Sequence, residues 1–280
     1  MQKAILLTVD LEDWFQVENL RGCFPHAGWD DCQLRVEKST RALLELFKKH
    51  DVKATFFVLG WIAKRCPSLI EEIDVQGHEI ASHGFGHDLC TALSPDELSK
   101  DIQKGKEILE AITGKQVRGY RAPNFSITDS LILALEEIGF FYDSSYNDFS
   151  AHSRYGALPG SWAEVAPGLL KNKSGFYEIP VRNLPFFGKK VPWGGGGYFR
   201  LIPGWIFNRG VRRFLRENDT YLFYCHPWEF DPGQPKVRSL RFDYRFRHYI
   251  NIGHNLSKLH VFLNCFSDCR FITCSQFIGI

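Results

Sequence analysis

The chain has 280 residues, 44% hydrophobic and 24% charged, the balance of a globular protein with a sizeable core rather than of a disordered or fibrous one. Its formal net charge is only +2, so composition makes no electrostatic case for nucleic acid as a partner. No window of about 18 apolar residues reads as a membrane-spanning helix. The apolar stretch after Met1 is interrupted at Asp10, too early for a secretory leader, and the expectation is a cytoplasmic protein whose eight cysteines stay reduced.

In chain order, the apolar run at residues 4–9 predicts a buried strand that ends at an acid. Residues 39–50 carry apolar positions at helical spacing, with basic residues in the last turn. A strand at 54–59, a helix at 67–76 and a short strand at 79–82 follow. The helix at 94–112 opens on Ser94 with Glu97 three residues on, a capping-box spacing, and stops at Gly114. A strand at 117–120, a helix at 128–138 closed by Gly139 and a strand at 140–143 complete an alternation that implies a parallel sheet buried on both faces. Residues 146–200 break the rhythm, and the run Gly194 to Gly197 lacks the Lys-Ser/Thr of a phosphate loop and reads as a bend. A helix at 205–216, a strand at 220–224 and a basic, aromatic tail end the chain. We read residues 1–235 as one catalytic domain and 236–280 as an extension packed on it.

Chemistry concentrates where strands end. Ser82-His83-Gly84-Phe85-Gly86-His87 follows a strand, and two histidines four apart on one side of a helical turn suit a single divalent ion. Asp10-Leu11-Glu12-Asp13 ends the first strand, and in a parallel barrel all such ends share one face. Two imidazoles and a carboxylate leave positions open for water and substrate, the catalytic pattern. Arg121-Ala122-Pro123 and Cys225-His226-Pro227-Trp228-Glu229 also sit at strand ends. Trp61, Trp193, Tyr198 and Trp228 are candidates for stacking on sugar rings, with core packing the competing account of each. Arg238, Arg241, Arg245, Arg247 and His248 are candidates for meeting a lipid-linked saccharide or a membrane surface, against the simpler account of a solvated face.

The order TVDLED, TFFVLG, GHEIASHGFGH, GYRAPNFS, YDSS and FYCHPWE resembles the polysaccharide deacetylase superfamily, the carbohydrate esterase family 4-like enzymes. It is most similar to exosortase-associated exopolysaccharide deacetylases, through the RAP-x-F-S segment, the His-Pro-Trp-Glu stretch with Gln234-Pro235 after it, and the tail around Phe246-Arg247-His248-Tyr249. The resemblance implies an α/β fold, a deformed (β/α) barrel with fewer than eight regular strands, and removal of N-acetyl groups from amino sugars of an oligo- or polysaccharide. It implies one divalent metal ion, with zinc the default, on His83, His87 and an acid of the opening motif, with Asp10 as base, Arg121 orienting it and His226 as general acid. Where the family has two adjacent aspartates, this chain has Asp10 and then Leu11-Glu12-Asp13; either Glu12 or Asp13 can serve, and the shorter Asp13 is preferred for rigidity. The acid that orients the catalytic histidine is not evident, and Asp143 and Glu178 are its candidates. A small-amide hydrolase of the same fold and an inactive sugar-binding module are the competing readings.

Overall fold

The structure, a computed structural model, describes residues 3–149, 155–186 and 188–280. The elements are β1 (Ala4–Leu11), α1 (Val36–Lys49), β2 (Thr55–Val58), α2 (Gly60–Arg65), α3 (Pro67–Val75), β3 (Glu79–Ser82), α4 (Pro95–Thr113), β4 (Gly119–Tyr120), α5 (Asp129–Ile138) and β5 (Tyr142–Asp143). There follow β6 (Trp162–Ala166), β7 (Leu169–Asn172), β8 (Tyr177–Glu178), β9 (Leu184–Phe186), β10 (Lys189–Val191), α6 (Gly196–Leu201), α7 (Gly204–Asn218), β11 (Thr220–Cys225), α8 (Phe242–Tyr249), α9 (Ile252–Cys265), β12 (Arg270–Ile272) and α10 (Cys274–Ile278).

Strands β11, β1, β2, β3, β4, β5 and β8 lie side by side and parallel, and β7 and β6 continue antiparallel beyond β8. Every residue of β1 is buried, as a parallel strand covered on both faces requires. Its alternation is decisive: Leu6 joins an inner cluster with Phe57, Ala81, Tyr142 and Ile179, while Ile5, Leu7 and Val9 pack against the surrounding helices. Those helices start and stop where side chains satisfy their ends. Ser94 and Glu97 form a reciprocal capping box on α4, and Gly114 and Gly139 close α4 and α5 in the left-handed conformation.

The barrel is deformed because, among the described residues, no regular strand joins β8 to β11. The run Gly194–Gly197 fills that gap: Gly195 bridges Tyr224, and the Tyr224 amide donates to Gly194 O at 2.8 Å. The predicted bend is therefore the seam of the barrel. Only glycine fits there, since Gly195 has φ +127 and a Cβ on it would lie 2.1 Å from Tyr224 O. The opposite, N-terminal end of the barrel is plugged by α10, where Cys274 N donates to Thr55 Oγ1 and Ser275 N to Glu79. That leaves the C-terminal strand ends as the open mouth. The residues after 235 are part of the sheet as well as a layer upon it, because β12 pairs in parallel with Ala4–Leu6.

Replacing Gly195 by Ala should lower stability by about 2–4 kcal/mol, from φ strain and overlap with Tyr224 together. A urea midpoint equal to that of the parent chain would show that the seam can move aside.

Candidate active site

Period-two alternation along β1 turns Leu6, Thr8, Asp10 and Glu12 toward the barrel axis and Asp13 away from it. Glu12 Oε2 reaches His87 Nε2 at 2.5 Å, and ligand atoms of Glu12, His83 and His87 all lie within 4.8 Å of one another, every residue buried. The preference for Asp13 is corrected by this geometry. Its carboxylate faces the N-terminus of α1 and accepts from the amides of Trp14, Arg35 and Val36 at 2.7, 2.7 and 2.9 Å, so it has a capping role and no free lone pair toward the histidines.

The two histidines converge by a route different from the expected helical turn. Residues 83–89 form a loop in which Gly84 and His87 both have positive φ. Asp101, on α4, accepts the Phe85 and Gly86 amides at 2.8 Å each and fixes that loop. His83 Nδ1 lies 2.7 Å from Arg121 O; that nitrogen donates to the carbonyl and leaves Nε2 as a lone-pair ligand. Burial holds the His83 pKa down to about 4, so the ring is neutral, as a ligand must be. Glu12 Oε2 is buried with His87 Nε2 as its one partner among the described residues, while Trp228 Nε1 donates to Oε1 at 3.0 Å. Burial opposes ionisation of Glu12, but the imidazoles of His87, His226 and His83 outweigh it and hold its pKa at about 2. A neutral imidazole and a buried carboxylate–imidazole pair, their ligand atoms within 4.8 Å of one another, form a nitrogen and oxygen donor set that fits a divalent cation.

Asp10 and His226 line the same cleft as this cluster. Asp10 accepts from Arg121 Nη1 at 2.7 Å, and Arg121, fully buried, also donates to Thr8 Oγ1, Ser144 O and Ser144 Oγ at 2.8, 3.1 and 2.9 Å. His226 Nε2 points into the cleft, 3.8 Å from Asp10 Oδ2 and 3.7 Å from Glu12 Oε1. Its Nδ1 lies 3.1 Å from Glu229 Oε2, and Arg200 Nε donates to the other Glu229 oxygen at 2.9 Å. Burial disfavours the imidazolium, yet Glu229, Glu12 and Asp10 prevail and raise the His226 pKa to about 9.

The acid beside His226 is thus Glu229, three residues along the chain, and not Asp143 or Glu178. Those two face each other across β5 and β8 beneath the Ser144–Ser145 backbone that receives Arg121. Among the aromatic candidates, Trp228 lines the cleft and is sandwiched between His226 and His248, with ring centroids 5.4 and 4.5 Å away. Trp193 is corrected to a core residue: its ring stacks on Phe207 and its Nε1 donates to Phe207 O at 3.0 Å, away from the cleft. Trp61 likewise packs on Phe15 and Trp29 in the core. Tyr198 lines a neighbouring groove. Asn124, passed over in the sequence, lines the cleft with φ +54 and a buried Nδ2 that has no partner among the described residues. The cleft measures about 300 Å³ and opens at the barrel mouth.

With this geometry in hand, comparison with known proteins is decisive. Residues 27–142 match the polysaccharide deacetylase family model, and residues 144–279 match a domain of unknown function, DUF3473. Residues 27–142 thus carry a polysaccharide deacetylase segment. It is 34% identical over 128 residues to the peptidoglycan deacetylase of Helicobacter pylori, covering 44% of this chain and 42% of that one. It is 30% identical over 121 residues to the peptidoglycan-N-acetylmuramic acid deacetylase PdaA of Bacillus subtilis, covering 42% of this chain and 46% of the relative. The matches span about half the length, or less, of the first curated relatives. Among solved structures, a Mycobacterium smegmatis structure assigned to polysaccharide deacetylases aligns over 100% of this chain and 90% of its own, with TM-score 0.65 at 21% identity. PuuE allantoinase aligns over 99% and 89%, with TM-score 0.61 at 17% identity. At such identities these two show the fold, a deformed (β/α) barrel. Among the described residues, no helix is long and apolar enough to cross a membrane.

Two outcomes test the site. Glu12→Gln should abolish binding of zinc in calorimetry, whereas Asp13→Ala should retain it and lose about 2–4 kcal/mol of stability from three orphaned amides; the reverse pattern would restore Asp13 as the ligand. The Asp143–Glu178 pair supplies the second. Burial raises Asp143 to about 6 and Glu178 further, so folding favours their protonated forms. Their folded pKa values exceed the unfolded ones, so stability is fullest below about pH 4 for this pair and declines as pH rises through about 6 and beyond. Asp143→Asn should flatten that decline in urea midpoints measured between acid and neutral pH, and parallel profiles would reject the shared proton.

Proposed function

We propose that this chain is a metal-dependent hydrolase that removes N-acetyl groups from the amino sugars of a bacterial exopolysaccharide or its lipid-linked precursor. The observation that carries the reading is the gathering of a carboxylate, Asp10, and a protonated histidine, His226, 3.8 Å apart beside the Glu12–His83–His87 cluster in one cleft. The curated relatives bear the names of deacetylases of N-acetylated glycans, which supports this substrate class. Glu12, His83 and His87 would hold the cation; once bound, it polarises the acetyl carbonyl and acidifies water, with zinc suited to the nitrogen and oxygen donors.

The chain's own residues do the rest. Asp10 accepts the proton of the attacking water, and the Arg121 guanidinium, 2.7 Å away, holds its carboxylate aimed. Asn124 offers an unpaired N–H donor toward the substrate. Amide cleavage fails if the amine leaves as an anion, so a proton must arrive as the C–N bond breaks. His226, with its pKa raised to about 9, carries that proton at neutral pH, and Glu229 with Arg200 behind it sets the ring's orientation. A sugar-binding module without catalysis has no use for a base, an acid and three converging ligands. A small-amide hydrolase has only the allantoinase fold match on its side.

The test is acetate release from N-acetylglucosamine oligomers, which chelation should abolish and zinc restore. Asp10→Asn should cut turnover by about 10²–10⁴-fold while zinc affinity in calorimetry persists. Release of ammonia or ureides from small amides, with no acetate from any acetamido sugar, would overturn the assignment.

A further inference from the structure

The catalytic cleft does not end at the catalytic residues. A second groove of about 410 Å³ shares Tyr155, Tyr224 and Arg247 with it as common walls and runs on between α6 and α8. The character of the walls changes along that path. The catalytic end is lined by carboxylates and imidazoles. Beyond Arg247 the groove is bounded by Tyr198, Leu201, Phe246 and Ile250. Leu201 and Phe246 are 49% and 51% exposed, a cost in water unless something apolar covers them. Arg247 stands at the junction, exposed, with no hydrogen bond or ion pair to any described residue. The neighbouring Arg241 by contrast is engaged by Asp243.

Polar cleft, unpaired cation, apolar channel: this order prescribes a ligand with the same sequence of chemistries. We infer that the substrate is an amphiphile in which the acetamido sugar is joined through a phosphate to an isoprenoid-like chain, the phosphate meeting Arg247 and the first carbons of the chain lying between Leu201 and Phe246. This deepens the N-deacetylase reading and rests on it. A guanidinium suits phosphate oxygens through paired N–H donors. Each methylene taken from water into the channel strengthens binding roughly fourfold. A neutral glycan chain would instead leave Arg247 without a counter-charge and would gain nothing from the aliphatic Leu201 and Ile250.

The experiment compares kcat/KM for three soluble probes: N-acetylglucosamine linked through phosphate to a geranyl chain, the same sugar phosphate without the chain, and a neutral methyl glycoside. The geranyl compound should exceed the sugar phosphate by about tenfold or more, and the sugar phosphate should exceed the glycoside. Arg247→Ala should remove the step due to phosphate. Phe246→Ser and Leu201→Ser should remove the step due to the chain. These are ratios within one preparation, so partial misfolding of a variant does not mimic them. Equal rates for the geranyl compound and the bare sugar phosphate would overturn the inference, as would a chain effect that survives both serine variants. An enhancement seen only with anionic vesicles present would also overturn it, by assigning the apolar residues to a membrane surface. If wild-type protein binds zinc and releases acetate from none of the probes nor from chitooligosaccharides, the deacetylase reading itself falls. Acetate release without preference among the probes sinks only the inference made here.

Discussion

Arg121 carries a permanent charge with no access to water, and the barrel mouth is organised around satisfying it. An uncompensated guanidinium in that position would cost several kcal/mol, so its donors have to be met at fixed points. They are met by Thr8 and Asp10 on β1 and by the Ser144 backbone and hydroxyl just after β5. Arg121 itself follows β4, and its carbonyl receives His83 from the loop after β3. One side chain and its peptide group thus tie together the ends of four strands. Asp10 and His83 both take their orientation from it. Removing such a residue would do more than delete a charge partner, because the strand ends would lose a common reference.

A second balance of buried charge sits across the cleft. Glu229 is held at about pKa 2, with burial opposing and Arg200 the strongest of the groups that prevail over it. Arg200 spends its other nitrogen on the carbonyls of His248 and Ile250, which fixes the start of the segment leading to α9. His248 stacks on Trp228, and Trp228 in turn stacks on His226 and donates to Glu12. His226 and Glu12 are therefore steadied by the same indole. The tail that reads in sequence as a solvated basic face places one histidine deep in this arrangement and one arginine at the cleft's edge.

Much of this was legible in sequence because the informative features are local. The continuous apolar run at residues 4–9 announced a buried strand, and continuing its period of two places Glu12 on the same side as Asp10. Preferring Asp13 ignored a second local signal, since Asp13 with Gln16 three residues on is a capping-box pattern, and the structure shows both of its hydrogen bonds. Glu229 was legible for the same reason, at three residues from His226. The loop carrying His83 and His87 was misjudged as a helical turn because Gly84 and Gly86 were not weighed as breakers. Other features were beyond sequence. That Trp193 is core depends on its stacking with Phe207, and that Gly194 to Gly197 form a seam depends on Tyr224, partners set by the folded sheet rather than by neighbours in the chain.

The division of the chain into a deacetylase segment and a segment of unknown function does not follow the physical structure. The first segment carries His83, His87 and Arg121; the second carries His226, Glu229, Arg200 and the barrel seam; Asp10 and Glu12 precede both. Strand β1, the first element, lies between β11 and β2 and also receives β12, so the oldest contacts in sequence order are made with the last strands of the chain. A fragment ending at residue 142 would expose one full edge of β1 and leave Asp10 without His226 beside it. The segment of unknown function thus completes the barrel and contributes His226 and Glu229 to its cleft.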